Sequence, residues 1–472
     1  MDLAVMRDSW GKRLPEILIL GLMVVLLWSN LSLFLTVDIW RNDSMYYVSS
    51  YDDKLVEEGR WINHLFFRFL QLVPSDVAIV ISYFCVILFS AVVAFRVTKN
   101  IFFSAVFGIL CALTPVLPVQ LEWPETLLFG FVGLALSPVL QKSLPDLYFF
   151  PLVAILFMGT FSAFYFLMPL LFLSGLNYSR FWRLMLIWIA AFIAAYIATN
   201  FLVYILTGHS IQLANWRNPN YLHNFDDFLV NLENIKRAIF IHLGKMESFL
   251  KKGVLAILLV SSIVVSIWKK QYWLPLLAII CSLGIYVSTL PVGIYIQDRT
   301  TLSAFIALFA ALFLAPYASR TAVLVVMVIM FSLAVRMAKV GHEGISWYSI
   351  NTNLLAQQIE SVVVAPPEEV GRVFVVAEMA ESRKMFDMIN NNINKRNLYS
   401  EGFSHPQYWV PVLKEMGYKH FRVCPDLQGW DCDQIKSMYQ ERAQYQREQG
   451  LFISRRLPDG GMLIMINPLA VK

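Results

Sequence analysis

At 472 residues, with 58% of them hydrophobic and only 15% charged, the chain lies far from the roughly 25% charged content of ordinary soluble domains. Many of its stretches reach the roughly 18 to 20 apolar residues that a bilayer requires. The composition is therefore that of a polytopic membrane protein rather than a string of soluble domains. The net charge of +5 is read through loop placement, because no basic, aromatic-interleaved patch suited to nucleic acid occurs.

The apolar run from Leu14 to Val37 is too long for a signal-peptide core, and no small-residue cleavage site follows it. It predicts a retained helix whose start is held in the cytoplasm by Arg7, Lys12 and Arg13. The first long polar break follows at once. From Asp38 to Trp61 it carries six carboxylates (Asp38, Asp43, Asp52, Asp53, Glu57, Glu58), two arginines and five aromatics. Carboxylates at the edge of a bilayer are costly unless they have a task. In 61–70, Trp61, Leu65 and Phe69 lie beside Ile62, Phe66 and Leu70, while Arg60, His64 and Arg68 recur every fourth residue. That spacing predicts one amphipathic helix in the membrane interface.

Eleven spans are predicted, at about 14–37, 75–96, 100–118, 124–141, 147–162, 164–177, 182–207, 252–268, 272–290, 300–317 and 320–339. The segment 147–177 is too long for one ordinary span and short for two, which predicts a broken or re-entrant pair. Arg96 and Lys99, Lys142, Arg180 and Arg183, Lys269 and Lys270, and Arg320 fall at alternate turns, which would all face the cytoplasm with the N-terminus. Asp43, Asp52, Asp53, Glu122, Glu125, Asp226, Asp227 and Asp298 fall at the opposite turns. Eleven crossings then leave the C-terminus outside. The outer loops are 38–74 and 208–250, the second containing a predicted surface helix at 226–243.

Two domains follow: a membrane module at 1–340 and a small α/β domain at 341–472. In the latter, Arg372–Ala377 and Lys419–Val423 read as strands, Ser382–Ile393 and Tyr408–Met416 as helices, and Leu451–Arg455 with Met462–Asn467 as a hairpin through Pro458-Asp-Gly-Gly461. Cys85, Cys111 and Cys281 lie in apolar spans as small hydrophobes. Cys424 and Cys432 have the wrong spacing for the common zinc pairs, and an outer compartment would favour a disulfide between them.

The acids of the first outer loop suit general-base work, and arginines at span mouths suit a phosphate. Asp43, about six residues past the first span, is the first choice for a base that deprotonates an acceptor hydroxyl; Asp38 is the second. Either also fits a helix-ending aspartate. Glu122 and Glu125, in a very short outer turn, could orient an acceptor, raise the pKa of the base, or share a divalent cation with another acid. Arg299 suits a phosphate through its planar fork, or an ion pair with Asp298. Arg60, His64 and Arg217 are further phosphate candidates, and Trp61 is a candidate for stacking on a sugar. No P-loop, glycine-rich dinucleotide turn or H-E-x-x-H pair occurs.

Three features together resemble a known family: Asn42-Asp43 after the first span with Glu58-Gly59-Arg60-Trp61 downstream, Gln297-Asp298-Arg299 before a late span, and many spans with an outer C-terminal domain. They resemble the GT-C glycosyltransferases, and within them the phage-encoded O-antigen glucosyltransferases that convert bacterial serotype (the Gtr family). The family often carries two adjacent acids where this chain has Asn42-Asp43. The resemblance implies an inner-membrane enzyme that moves a hexose, by family precedent glucose, from undecaprenyl phosphate to a lipid-linked O-antigen on the periplasmic side. Asp43 would be the base and Arg299 the phosphate clamp. A flippase and a cytoplasmic synthase would supply the donor. An O-antigen polymerase or a lipid-linked sugar transporter are the alternatives, although a transporter would place its polar groups at the midplane on broken helices with internal repeats.

Overall fold

The computed structural model describes residues 3–36, 51–121, 124–174, 176–213, 217–249, 253–294, 296, 300–315, 319–378, 380–381, 384–385, 409–425, 432, 435–440 and 450–467. It divides into two compact units, one holding Tyr51–His342 with the first helix, the other containing the chain from Glu343 on.

Among the described residues, five helices contain stretches long and apolar enough to cross a membrane: Arg13–Thr36, Ser75–Thr98, Thr126–Ser143, Tyr178–Thr207 and Arg320–Ser346. Of the shorter apolar helices, Ile101–Ala112, Ser162–Phe172 and Leu302–Phe313 are largely buried, whereas Val254–Trp268 buries only Ser262 and Ser266. In chain order the first unit contains α1 (Leu3–Thr36), α2 (Asp52–Glu58), α3 (Trp61–Leu65), α4 (Phe67–Leu70), α5 (Ser75–Thr98), α6 (Ile101–Ala112), α7 (Val116–Gln120), α8 (Pro124–Ser143) and α9 (Asp146–Gly159). A 3₁₀ helix, Ser162–Phe172, comes next. Then follow α10 (Tyr178–Thr207), α11 (Phe225–Phe249), α12 (Val254–Trp268), α13 (Trp273–Val287) and α14 (Leu302–Phe313), and α15 (Arg320–Glu360) belongs to the first unit up to His342 and to the second from Glu343 on.

The buried short helices are explained by where they lie. A helix of twelve residues is about 18 Å long, well short of a hydrocarbon core of about 30 Å. In α14 every residue but Leu308 is buried, so the helix meets protein rather than lipid. The predicted span 100–118 is α6 and α7 separated at Thr114-Pro115, because proline cannot donate within a continuing helix. The predicted pair 147–177 is α9 packed against the 3₁₀ helix. Ala163–Phe172 is buried throughout, and the Tyr165 hydroxyl donates to the Trp188 carbonyl at 2.7 Å. The lipid-facing surface is the reverse pattern: on α10, Leu186, Ile189, Ile193, Ile197 and Phe201 recur every three or four residues and are all exposed.

The predicted interfacial helix at 61–70 is broken at Phe66 into α3 and α4. The break turns Phe67 and Leu70 inward while Leu65, Phe66, Phe69 and Leu72 stay exposed, an apolar strip suited to the headgroup boundary. At the opposite end of the long helices, Arg96 donates to Gln141 Oε1 at 2.6 Å, to the Leu171 carbonyl at 2.5 Å and to the Pro138 carbonyl at 3.2 Å. One guanidinium thus joins α5, α8 and the 3₁₀ helix.

In the second unit, β1 (Val373–Ala377), β2 (Phe421–Pro425), β3 (Phe452–Arg456) and β4 (Met462–Ile466) form a sheet of order β2-β1-β4-β3. β1 is parallel to β2 and β4, and β3 is antiparallel to β4. The central strands β1 and β4 are nearly continuous apolar runs, as strands covered on both faces must be. Trp409 packs edge-on against Phe452 with centroids 4.7 Å apart. Cys424 and Cys432 are joined in a disulfide.

Candidate functional site

The site begins at Gly59, which ends α2 in the left-handed region at φ +69°. A Cβ there would stand 2.7 Å from Ile211 Cδ1 and 2.9 Å from Thr199 Cγ2. Glycine is needed for both the turn and the close approach to α10. The amide of Gln212 donates to the Val56 carbonyl at 3.0 Å, so α2 and the loop after α10 run against each other.

The 217–224 segment is clipped to the turn after α13. Asn220 and Leu222 donate their amides to the carbonyls of Val292 (2.9 Å) and Pro291 (3.1 Å). Asn231, buried on α11, donates to the carbonyls of Asn220 (2.8 Å) and Leu290 (2.9 Å) and accepts from Asn220 Nδ2 at 2.9 Å. Three stretches distant in sequence thus meet at one end of the helical unit.

There Glu58 collects three cations. Its Oε1 accepts from Arg217 Nη2 at 2.8 Å and from Lys54 Nζ at 3.1 Å, and its Oε2 is paired with Arg60. The side chains of Lys54, Glu58, Arg60 and Arg217 are only 4%, 11%, 12% and 18% exposed, so these charges interact with little help from water. The Arg60 guanidinium also lies 5.5 Å from the centre of the Phe161 ring. Beneath them Tyr51 is buried against Phe67, and its hydroxyl accepts from Asn63 at 3.3 Å. Burial raises the Tyr51 pKa above its ordinary value, and the nearby Arg60 opposes that rise.

Glu57, Glu58, Arg60 and Arg217 line a cavity of 370 Å³. Its remaining walls are largely apolar: Phe161 and Phe166 at the start of the 3₁₀ helix, Phe192, Ile193 and Tyr196 on α10, and Ile285 with Val292 and Ile294. The lining thus combines charged side chains with largely apolar walls.

Of the residues singled out in the sequence, Arg60 and Arg217 are brought together, 159 positions apart in sequence from Glu58 to Arg217. His64 is directed elsewhere, its Nε2 lying 2.9 Å from Asp52 Oδ1. Trp61 sits against the end of α9, where a Cβ on Gly159 would lie 2.7 Å from its Nε1. Asp38, Asp43, Glu122, Asp298 and Arg299 lie outside the described residues, as does the side chain of Glu125. Ile296 and Thr300, which bracket Gln297-Asp298-Arg299, line the cavity. Glu58 belongs to the acid cluster and to the Glu58-Gly59-Arg60-Trp61 motif, but neither it nor Lys54 is among the sequence candidates for a site role; their i, i+4 spacing on a helix is the available signal. Among the described residues no group of three His, Cys, Asp or Glu side chains could hold a metal ion. No protein-family model, curated protein or solved structure matches the chain.

Proposed function

We propose that the chain is a membrane enzyme that holds a lipid-linked phosphate by its head at the Glu58 end of the helical unit. Within that class we read it as a glycosyltransferase that moves a hexose from a polyprenyl phosphate to a lipid-linked glycan. The observation that carries this reading is the 370 Å³ cavity lined by Arg60 and Arg217 together with largely aromatic and aliphatic walls. The fork of an arginine matches phosphate oxygens in two parallel hydrogen bonds, and the apolar walls accept the first isoprene units.

In the reaction, an acceptor hydroxyl attacks the anomeric carbon while the bond from that carbon to the phosphate oxygen breaks. The phosphate leaves with the bonding pair, and a carboxylate takes the hydroxyl proton. Arg60 and Arg217, with Arg299, stabilise the charge that develops on the phosphate. Asp43 is the base in this reading, with Asp38 and Glu122 next, and displacement in one step inverts the anomeric centre. Eleven crossings, a cytoplasmic N-terminus and a periplasmic C-terminal unit complete the topology. Glucose, an O-antigen acceptor, the inner membrane and a partner synthase and flippase rest on the Gtr resemblance of the Asn42-Asp43, Glu58-Gly59-Arg60-Trp61 and Gln297-Asp298-Arg299 motifs.

The test is full-length protein in nanodiscs, supplied with polyprenyl-phosphate hexoses and a lipid-linked O-antigen, with the glycan weighed by mass spectrometry. Wild type is expected to add one hexose, and Asp43→Asn to bind donor without transferring it. Arg217→Ala should raise the KM for donor by roughly tenfold or more, the worth of a charge-assisted hydrogen bond. Absence of transfer from any hexose donor overturns the reading.

A further inference from the structure

Glu58 stands where an anionic headgroup would meet the guanidinium groups. A carboxylate and a phosphate offer the same pair of oxygens to an arginine fork, so a given guanidinium edge serves one of them at a time. Arg60 and Arg217 are each fixed from another direction. Arg60 follows the constrained Gly59 and lies over Phe161. Arg217 is on the segment whose Asn220 and Leu222 amides are bonded to the 291–292 backbone. Glu58, in contrast, is the last residue of α2, and its carboxylate also pairs with Lys54 one turn earlier on the same helix, a partner that it keeps if it gives up the two arginines.

We propose that Glu58 is an internal anion that exchanges with substrate phosphate. It holds Arg60 and Arg217 while the cavity is empty, releases them when the head of a lipid-linked phosphate enters, and takes them back to expel the phosphorylated lipid after transfer. This rests on the reading of the cavity as a lipid-phosphate site and adds to it a device for product release. Similar competition for the same cations keeps the net charge of the cluster from trapping a product that carries more negative charge than the donor.

The proposal has a sign that a purely structural role does not share. Replacing Glu58 with neutral glutamine removes the competitor, so phosphate should bind more tightly and leave more slowly, lowering KM and kcat together. A residue that only braces the arginines would, when replaced, loosen phosphate and raise KM.

The experiment uses the full chain in phosphatidylcholine nanodiscs, titrated in separate arms with a short-chain polyprenyl phosphate, inorganic phosphate and phosphatidylglycerol. Glu58→Gln is expected to bind polyprenyl phosphate on the order of tenfold more tightly than wild type, the effect of losing a charge-assisted competitor. Glu58→Asp, which keeps the charge but draws it back by one methylene, should tighten binding by a smaller factor and carries the test if the glutamine variant does not fold. Tightening toward inorganic phosphate as well assigns the effect to the phosphate group, as the exchange requires. Tightening toward phosphatidylglycerol alone marks a bulk lipid contact and overturns it. Unchanged or weaker binding of polyprenyl phosphate by the variants, with wild type binding normally, overturns the exchange and leaves the lipid-phosphate reading standing. No binding of polyprenyl phosphate by wild type removes both.

Discussion

Asn63 shows how much of a site can rest on one side chain that carries no chemistry. It is fully buried, and its Nδ2 lies 2.5 Å from the Thr126 carbonyl and 3.3 Å from the Tyr51 hydroxyl. It therefore ties α3 to the start of α8 and to the floor of the Glu58 cluster. Asn63→Leu should lower stability by about 1–3 kcal/mol, the cost of hydrogen bonds lost where water cannot replace them. Thermal unfolding in detergent would measure it; an unchanged midpoint would show that Asn63 is not a tie. Nothing in the sequence distinguishes Asn63 from the polar flank of an amphipathic helix. Arg60 and Arg217 are recognisable as phosphate candidates from residue type and loop placement, and Glu58 as one of the acids of the first outer loop, but that Glu58 joins the two arginines is not, because pairing across 159 residues leaves no periodic trace.

At the scale of elements, the apolar segments were readable because a bilayer imposes length and hydropathy on every span. The interruptions were less so. Pro115 is a local signal for the break between α6 and α7. The break at Phe66 has no such marker and follows from packing, since Phe67 is drawn onto Tyr51 while Phe66 meets Phe129 with centroids 5.5 Å apart. Arg96 was counted as a charge that orients a loop, yet its three hydrogen bonds hold three elements together. Arg96→Lys keeps the charge and loses the planar fork. It should cost about 1.5–3 kcal/mol, seen as a lower unfolding midpoint with the orientation of the chain unchanged; equal stability would mean that charge alone matters here.

At the scale of the whole molecule, two units with different physics share one chain. The strands of the second unit were legible from short apolar runs and from the Pro458-Asp-Gly-Gly461 turn, where Gly460 adopts φ +82° and Asp459 accepts from the Gly461 amide at 2.9 Å. The order of those strands was not, because a sequence shows runs and not neighbours. The Cys424–Cys432 bond spans a sequence separation of 8, a loop that should stabilise its unit by about 2.5 kcal/mol. Reducing agent, or Cys424→Ser with Cys432→Ser, should lower the unfolding transition of the second unit and leave that of the helical unit in place. A common shift of both transitions would show that the two unfold as one.

The 3₁₀ helix has a consequence for length. Its 11 residues rise by about 2.0 Å each, giving about 22 Å. The 14 residues of α9 rise by about 1.5 Å each, giving about 21 Å. The two arms therefore match in reach although one has three residues fewer, whereas an α-helical second arm would fall short by about 5 Å. At the far end of the arm Phe172 meets Phe149 and Phe150 near the start of α9, with ring centroids 5.9 and 5.4 Å away. Deleting one residue from this arm would draw its ends together by about 2 Å and turn everything beyond by a third of a revolution, a far larger disturbance than any single side chain in that wall could cause.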